Sequence, residues 1–125
     1  MIILNKSIST KKGKDLDNEI QAIIDINNKV ICKALNRRPV LLDKYLEACN
    51  NRKDKTRRKQ LFKAATELIK VATEADIIST RKERLGIGYS LKGLLPNSKI
   101  INIHIREEIV SKNKILFLIS TFIRE

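Results

Sequence analysis

The chain has 125 residues, 42% of them hydrophobic and 32% charged, and its formal net charge is +12. That length and apolar content predict a single domain over residues 1–125 with its own core. No stretch approaches the ~20 apolar residues of a membrane span, and the N-terminus lacks the features of a secretory signal, so we expect a cytoplasmic protein without a membrane partner. Cys32 and Cys49 lie in helical apolar patterns and lack metal-ligand spacing, which predicts reduced packing residues and neither a metal nor another cofactor.

The N-terminal part, about residues 14–75, has the apolar periodicity of about three helices. Before it, residues 2–8 form a short apolar run, either a strand or an N-terminus held against the fold. The first helix is predicted to be capped by Asp15 or Asp17, and its apolar stripe continues to Leu35. Pro39 ends this helix, because the residue before a proline avoids the helical conformation.

Pro39 is also predicted to open the second helix at its first position, and Asn50-Asn51 to stop it. The third helix has the clearest stripe, from Leu61 to Ala72. Its beginning, residues 52–63, has seven basic residues and one acidic residue, a net charge of +6. Such a segment is often only a solvated helix face, but its concentration here favours contact with phosphates. The predicted nucleic-acid contacts in it are Arg52, Lys53, Lys55, Arg57, Arg58, Lys59 and Lys63.

After Asp76 the apolar period changes from 3.6 to 2, which predicts a sheet over about residues 77–124. Its strands are expected at Ile77–Ser79, Leu85–Leu91, Lys99–Val110 and Lys114–Arg124, with a turn around Pro96. In Leu85–Leu91 small residues alternate with apolar ones, which is typical of a strand with close backbone approach. The predicted fold is therefore α+β: about three N-terminal helices, then a three- or four-stranded antiparallel sheet that ends in a long hairpin.

His104 is the only histidine of the chain. In its strand the isoleucines alternate with polar residues, which places Asn102, His104 and Arg106 on one face. An imidazole can transfer protons near neutral pH, and a guanidinium can hold a phosphate with two hydrogen bonds. The simpler interpretation is that His104 is a surface residue and that Arg106 is exposed or paired with Glu108.

The register of the hairpin decides which hydroxyl lies beside His104. A two-residue loop at Lys112-Asn113 places Thr121 opposite His104, and a shift by one residue places Ser120 there instead. Arg81 and Lys82 precede the glycine-flanked strand, and they are either turn residues or part of the same surface.

The runs Asn102–Glu107 and Ile115–Phe122 resemble predicted phage-borne nucleases of the barnase–colicin–RelE-like group, over about residues 77–123. Members of that group are small α+β domains described as metal-independent, often toxin-like ribonucleases. The resemblance implies catalytic roles for His104, Arg106 and Ser120 or Thr121, with Arg81 as a further candidate. Some members have a second histidine, which this chain lacks, so Lys or Tyr89 would have to be the partner in proton transfer.

The leading functional prediction is a toxin-like, metal-independent endoribonuclease in which the RNA 2′-hydroxyl attacks the adjacent phosphorus. The alternative is a noncatalytic basic protein: a nucleic-acid binder, or an inhibitor or accessory protein of a phage or mobile element. The expected partner is a nucleic acid, most simply RNA, and an acidic protein such as an antitoxin or immunity protein is the second candidate.

Overall fold

A computed structural model describes residues 1–84 and 86–124. Within these residues the chain forms four α-helices and six strands of one mixed sheet, so the α+β class is confirmed. The helices are α1 (Gly13–Ile26), α2 (Tyr45–Asn50), α3 (Lys55–Lys59) and α4 (Phe62–Val71). The strands are β1 (Lys29–Cys32), β2 (Arg38–Leu41), β3 (Ile77–Glu83), β4 (Gly86–Leu94), β5 (Ile100–Val110) and β6 (Asn113–Arg124).

The sheet has the order β1-β2-β6-β5-β4-β3. All neighbouring strands are antiparallel except β2 and β6, which run parallel at Val40 and Leu41. The predicted count of three or four strands is therefore too low, and the sheet is not purely antiparallel. The predicted strand at 77–79 extends to Glu83, and Leu85 of the next predicted strand lies outside the described residues.

The first predicted helix is too long, because α1 ends at Ile26. The side-chain oxygen of Asn27 then accepts a hydrogen bond from the backbone N–H of Lys29, two residues further on. Such a local bond competes with continuation of the helix. The β-branched Val30 and Ile31 follow, and they favour the strand that forms there. The helix also begins at Gly13, so Asp15 lies within its first turn, and neither Asp15 nor Asp17 is the cap.

Pro39 opens no helix: it lies in β2, opposite Ile31 of β1. The chain reverses between these strands through Asn36 and Arg37, which both have left-handed backbone conformations with φ of 57° and 58°. The periodicity of apolar residues does not predict β1 and β2, because these strands are stabilised by their pairing within the sheet. The third predicted helix is likewise two helices, α3 and α4, with a break at Gln60 and Leu61.

The C-terminal hairpin is confirmed as β5 and β6. The predicted loop at Lys112-Asn113 is wrong, and of the two residues considered opposite His104 it is Ser120 that lies there. The turn is formed by Ser111 and Lys112, whose φ angles of 50° and 69° suit a two-residue hairpin. A bulge then leaves Ile119 of β6 without an opposite residue, so that Ser120 faces His104.

The helices pack on one face of the sheet, where Ile101, Ile103 and Ile105 of β5 are buried against them. Phe62, Leu68 and Ile69 of α4, with other residues of the same core, fill the space between the layers. The N-terminus is held against the end of β4, where the Leu4 N–H donates to the Leu94 carbonyl at 2.8 Å. Cys32 and Cys49 are buried in this core and form no disulfide. The opposite face of the sheet therefore carries the alternate, mostly polar side chains.

Candidate active site on the polar face of the sheet

We call the polar face the side of the sheet that carries Arg81, Glu83, Gly88, His104, Arg106 and Ser120. The alternation along β3 to β6 and the observed register place these six residues on one side. His104 lies at its centre, between Ser90 on β4 and Ser120 on β6. The predicted orientation of His104 and Arg106 away from the isoleucine face is therefore confirmed.

His104 is in contact with a carboxylate that lies two strands away. Its Nε2 is 3.0 Å from Oε1 of Glu83 on β3. Both side chains are partly accessible, with 18% of His104 and 21% of Glu83 exposed. A carboxylate and an imidazole are thus adjacent on a surface that a ligand can reach.

Gly88 makes this contact possible because β4 runs between the two residues. A Cβ at Gly88 would lie 2.4 Å from Oε1 of Glu83 and 2.6 Å from Cε1 of His104. Any side chain there would therefore occupy the space through which the carboxylate and the imidazole meet. The close backbone approach predicted from the glycine pattern is found at Gly86, where a Cβ would collide with the backbone carbonyl of Glu107, whereas the groups that approach Gly88 are side chains.

Two arginines flank the pair, and they differ in how they are held. Arg81 places its Nε 3.4 Å from Oε2 of Glu83, and 70% of its side chain is exposed. Arg106 donates to Oε2 of Glu108 from Nε at 2.8 Å and from Nη2 at 2.7 Å, as the simpler interpretation predicted. Lys44 also binds Glu108, at 2.8 Å. Arg81 is thus the more accessible cation, and Arg106 is fixed within an ion-pair cluster.

Ser120 and Thr121 have different surroundings. The Ser120 hydroxyl accepts a hydrogen bond of 2.7 Å from Nη1 of Arg58, which reaches over from α3. Thr121 is fully buried on the helix-covered face, where its hydroxyl lies 2.6 Å from the Tyr45 hydroxyl. Only Ser120 therefore shares a face with His104, and Thr121 has a structural environment.

The predicted basic segment divides into accessible and structural residues. Lys59 is buried and binds Asp17, whereas Lys63 binds Glu19 with 46% of its side chain exposed. Arg58 is held by Asp54, with 2.7 Å between its Nε and Oδ1 of the carboxylate. The remaining predicted contacts have exposed side chains: Arg52, Lys53, Lys55 and Arg57. A nucleic acid would thus meet these four side chains before it met Lys59.

Two further predicted residues lie away from His104. Lys82 alternates with Arg81 along β3, so its side chain leaves the other side of the strand. Tyr89 is opposite Ile105 and packs against the core, on the face of the sheet away from His104. Sequence reasoning missed Glu83, which the sheet order brings to His104.

Asn102 precedes His104 by two residues in β5 and lies on the same side of the sheet. Its side chain is 2% exposed, and its amide nitrogen has no hydrogen-bond partner among the described residues. A buried donor without an acceptor is costly, so it marks a place where the polar side of the sheet is not optimised for stability alone.

Glu108 gives the polar face a measurable dependence on pH. Burial alone would raise its pKa, but the hydrogen bonds and charges of Lys44 and Arg106 outweigh burial and lower the pKa below the ordinary 4.5. Because the folded state keeps this carboxylate ionised more readily than the unfolded chain, its contribution to stability is complete above pH 4.5 and is lost as the pH falls through the lowered pKa.

We therefore expect Glu108→Gln to lower the free energy of unfolding by about 1–3 kcal/mol at pH 7, the usual cost of unmade hydrogen bonds to charged groups. The difference between the two proteins should shrink at pH 3. Urea denaturation at both pH values measures it. A difference that stays the same at pH 3 would mean that the charge on Glu108 is not the cause.

The described residues contain no group of three or more His, Cys, Asp or Glu side chains placed to hold a metal ion. None of the helices in the same residues has the length and apolar character needed to cross a membrane. The polar face carries the carboxylates of Glu83 and Glu108, the imidazole of His104, hydroxyls and arginines. Together they can accept a proton, donate a proton and hold a negative charge.

Comparisons with family models, with curated proteins and with solved structures found no match to this chain.

Proposed function

We propose that this protein is an endoribonuclease that cleaves RNA without a metal ion, through Glu83 and His104 on the polar face. The observation that supports it most is the 3.0 Å contact between His104 Nε2 and Glu83 Oε1, with Arg81 beside the carboxylate. RNA carries its own nucleophile, so its cleavage requires only an acceptor for one proton, a donor of another and cations for the developing charge.

In the proposed reaction Glu83 accepts the proton of the 2′-hydroxyl, whose oxygen forms a bond to the adjacent phosphorus. The bond between phosphorus and the 5′-oxygen breaks, and that oxygen takes a proton from His104. The products are a 2′,3′-cyclic phosphate and a 5′-hydroxyl. The proposal gives the carboxylate the role of base, because a carboxylate has oxygens that accept a proton, and gives the imidazole the role of acid, because its ring N–H can donate one.

The arginines hold the phosphate in this proposal. Arg81 is exposed and next to Glu83, so it can move to a phosphate oxygen without leaving a buried partner. Arg58 is anchored by Asp54 and Ser120 at the other side of His104, which fixes its guanidinium near the reacting groups. Two guanidinium groups, one on each side of His104, would offset the negative charge that develops on the phosphorane.

An RNA substrate with and without free 2′-hydroxyl groups tests this proposal directly. EDTA-treated protein should cleave a labelled RNA oligonucleotide, and it should leave the same oligonucleotide intact when every 2′-hydroxyl is methylated. The methyl group removes the nucleophile and keeps the phosphates, so binding should persist. Cleavage of the methylated strand would contradict attack by the 2′-hydroxyl.

The exposed cations before and within α3 favour nucleic-acid binding whether or not the chain cuts. Replacing Arg52, Lys53 and Lys55 with Ala should weaken RNA binding and lower the slope of log Kd against log salt by about 2, at roughly 0.7 per phosphate contact with single strands. The control replaces Lys29, Lys33 and Lys70, which removes the same charge from β1, the turn after it and α4. Fluorescence anisotropy over a salt series measures both. Equal slopes for the two triple variants would show that this segment does not contact phosphates.

A further inference from the structure

A hollow of about 280 Å³ lies next to the candidate active site, at the side of β6 that faces α3. Its wall is formed by two apolar residues of β6, one leucine, two arginines and one carboxylate. These residues are Phe122, Ile123, Leu61, Arg57, Arg58 and Asp54. The hollow and the candidate active site share Arg58, whose guanidinium also binds the Ser120 hydroxyl opposite His104.

Phe122 is the feature of this hollow that calls for an explanation. It lies two residues after Ser120 on the same side of β6, and 41% of it is exposed. The guanidinium carbon of Arg58 is 5.9 Å from the centre of its ring. Aromatic rings and guanidinium planes are the two surfaces on which proteins stack unpaired bases, and here they stand together beside a proposed cleavage site.

We propose that this hollow binds one unpaired base of a single-stranded RNA, stacked on Phe122, next to the phosphate that His104 and Glu83 act on. The proposal rests on the proposed ribonuclease function and specifies its substrate class. A base held in a duplex is stacked on its neighbours and cannot enter the hollow. The scarcity of aromatic residues argues against a stacking platform for many bases, but one ring suffices for one base.

The charge pattern supports the same substrate. The exposed Arg52, Lys53, Lys55 and Arg57 belong to the segment that forms one side of the hollow. A single strand that follows these cations along α3 would reach Phe122 and then Ser120 and His104. Arg58 would contact both the base and the phosphate, and Asp54 keeps it in place.

The experiment uses a short, fully 2′-O-methylated single strand that contains one 2-aminopurine, so that binding is measured without cleavage. Stacking quenches the fluorescence of this base analogue. We expect wild-type protein to quench it at one position of the strand, and Phe122→Leu to abolish the quenching and weaken binding by about 5- to 150-fold. Phe122→Tyr keeps a ring and should retain both properties.

Two controls make the result specific. Ile109→Ala removes another exposed apolar side chain, 72% accessible and roughly 26 Å away along the hairpin at about 3.3 Å per residue, and should bind as wild type does. An abasic nucleotide in place of the 2-aminopurine should weaken binding by the wild type and leave Phe122→Leu unaffected. Circular dichroism confirms that each variant is folded.

The outcomes separate this proposal from the function on which it rests. Quenching by a wild type that never cleaves ordinary RNA would support the base site and contradict the ribonuclease. If the Phe122→Leu variant cleaves RNA and also binds and quenches the labelled strand as the wild type does, the base site is contradicted and the proposed ribonuclease activity is not. A wild type that binds neither single-stranded nor paired RNA would overturn both.

Discussion

His104→Ala abolishes RNA cleavage and leaves RNA binding nearly unchanged if the imidazole donates the proton to the leaving oxygen. General acid–base groups contribute typically 10²–10⁴-fold to a rate, so we expect a loss in that range or a rate below detection. Binding should change less than about threefold, because the phosphate contacts come from arginines and lysines. The measurement pairs a single-turnover cleavage assay in EDTA with anisotropy on a methylated strand.

The fold should tolerate this substitution because His104 is only partly buried and its contact is with a partly exposed side chain. Thermal unfolding of the variant should therefore stay within a few degrees of the wild type. Thr121→Val provides a structural control: it changes a fully buried hydroxyl on the other face and should lower stability without removing the cleavage of the folded fraction. A His104→Ala protein that cleaves at the wild-type rate would show that the imidazole takes no part.

Gly88→Ala should lower cleavage by about 100-fold while the protein stays folded. The added Cβ occupies the space between Glu83 and His104, and a displacement of about 1 Å at a reacting group has an effect of that size. Both displaced atoms are at the ends of flexible side chains, so the backbone has no reason to move. The cleavage rate and the unfolding midpoint of the same preparation measure the two effects.

Gly93→Ala is the matched control for this prediction. It makes the same change on the same strand but on the core face, where the new Cβ would meet Leu68 and Leu4 instead. We expect it to alter stability and to leave the rate per folded molecule unchanged. Equal cleavage by Gly88→Ala and the wild type would show that the contact between Glu83 and His104 is not needed for the reaction.

The C-terminal half of the fold could be predicted because its period is simple. Strict alternation in β5 predicts that His104 and Arg106 share one face, and the predicted two-residue turn differs from the observed one by a single position. The register could not be predicted, since the bulge at Ile119 leaves no mark in an apolar run whose two faces are both partly buried. The turn at Ser111-Lys112 alone would place Ile119 opposite His104, and the bulge moves that position on to Ser120.

The N-terminal half of the fold is harder to predict from sequence, because its apolar residues fit both helical spacing and strand pairing. Val30 and Ile31 continue the apolar stripe of α1, and only their pairing with β2 makes them a strand. The basic segment was predicted as one group, whereas the helix turns Lys59 into the interior and leaves Lys55 outside. Charge counts along a sequence do not contain that distinction.

Glu83 is the functional candidate that needed the structure. It is 21 residues from His104 in sequence and two strands away in the sheet, so no local pattern joins them. The available signal was Gly88: a glycine in a strand leaves room above it, and two long polar side chains filled that room. The sequence suggested a close backbone approach at this strand, and only the sheet order shows that at Gly88 two side chains approach instead.

The most direct test of the central claim is the chemistry of the RNA ends that EDTA-treated wild-type protein produces. Mass spectrometry of a cleaved oligonucleotide should find 2′,3′-cyclic phosphate on one fragment and 5′-hydroxyl on the other, and neither with His104→Ala. Fragments that carry 5′-phosphate, or RNA that stays intact while the folded protein binds it, would contradict the assignment of Glu83 and His104 as the reacting pair.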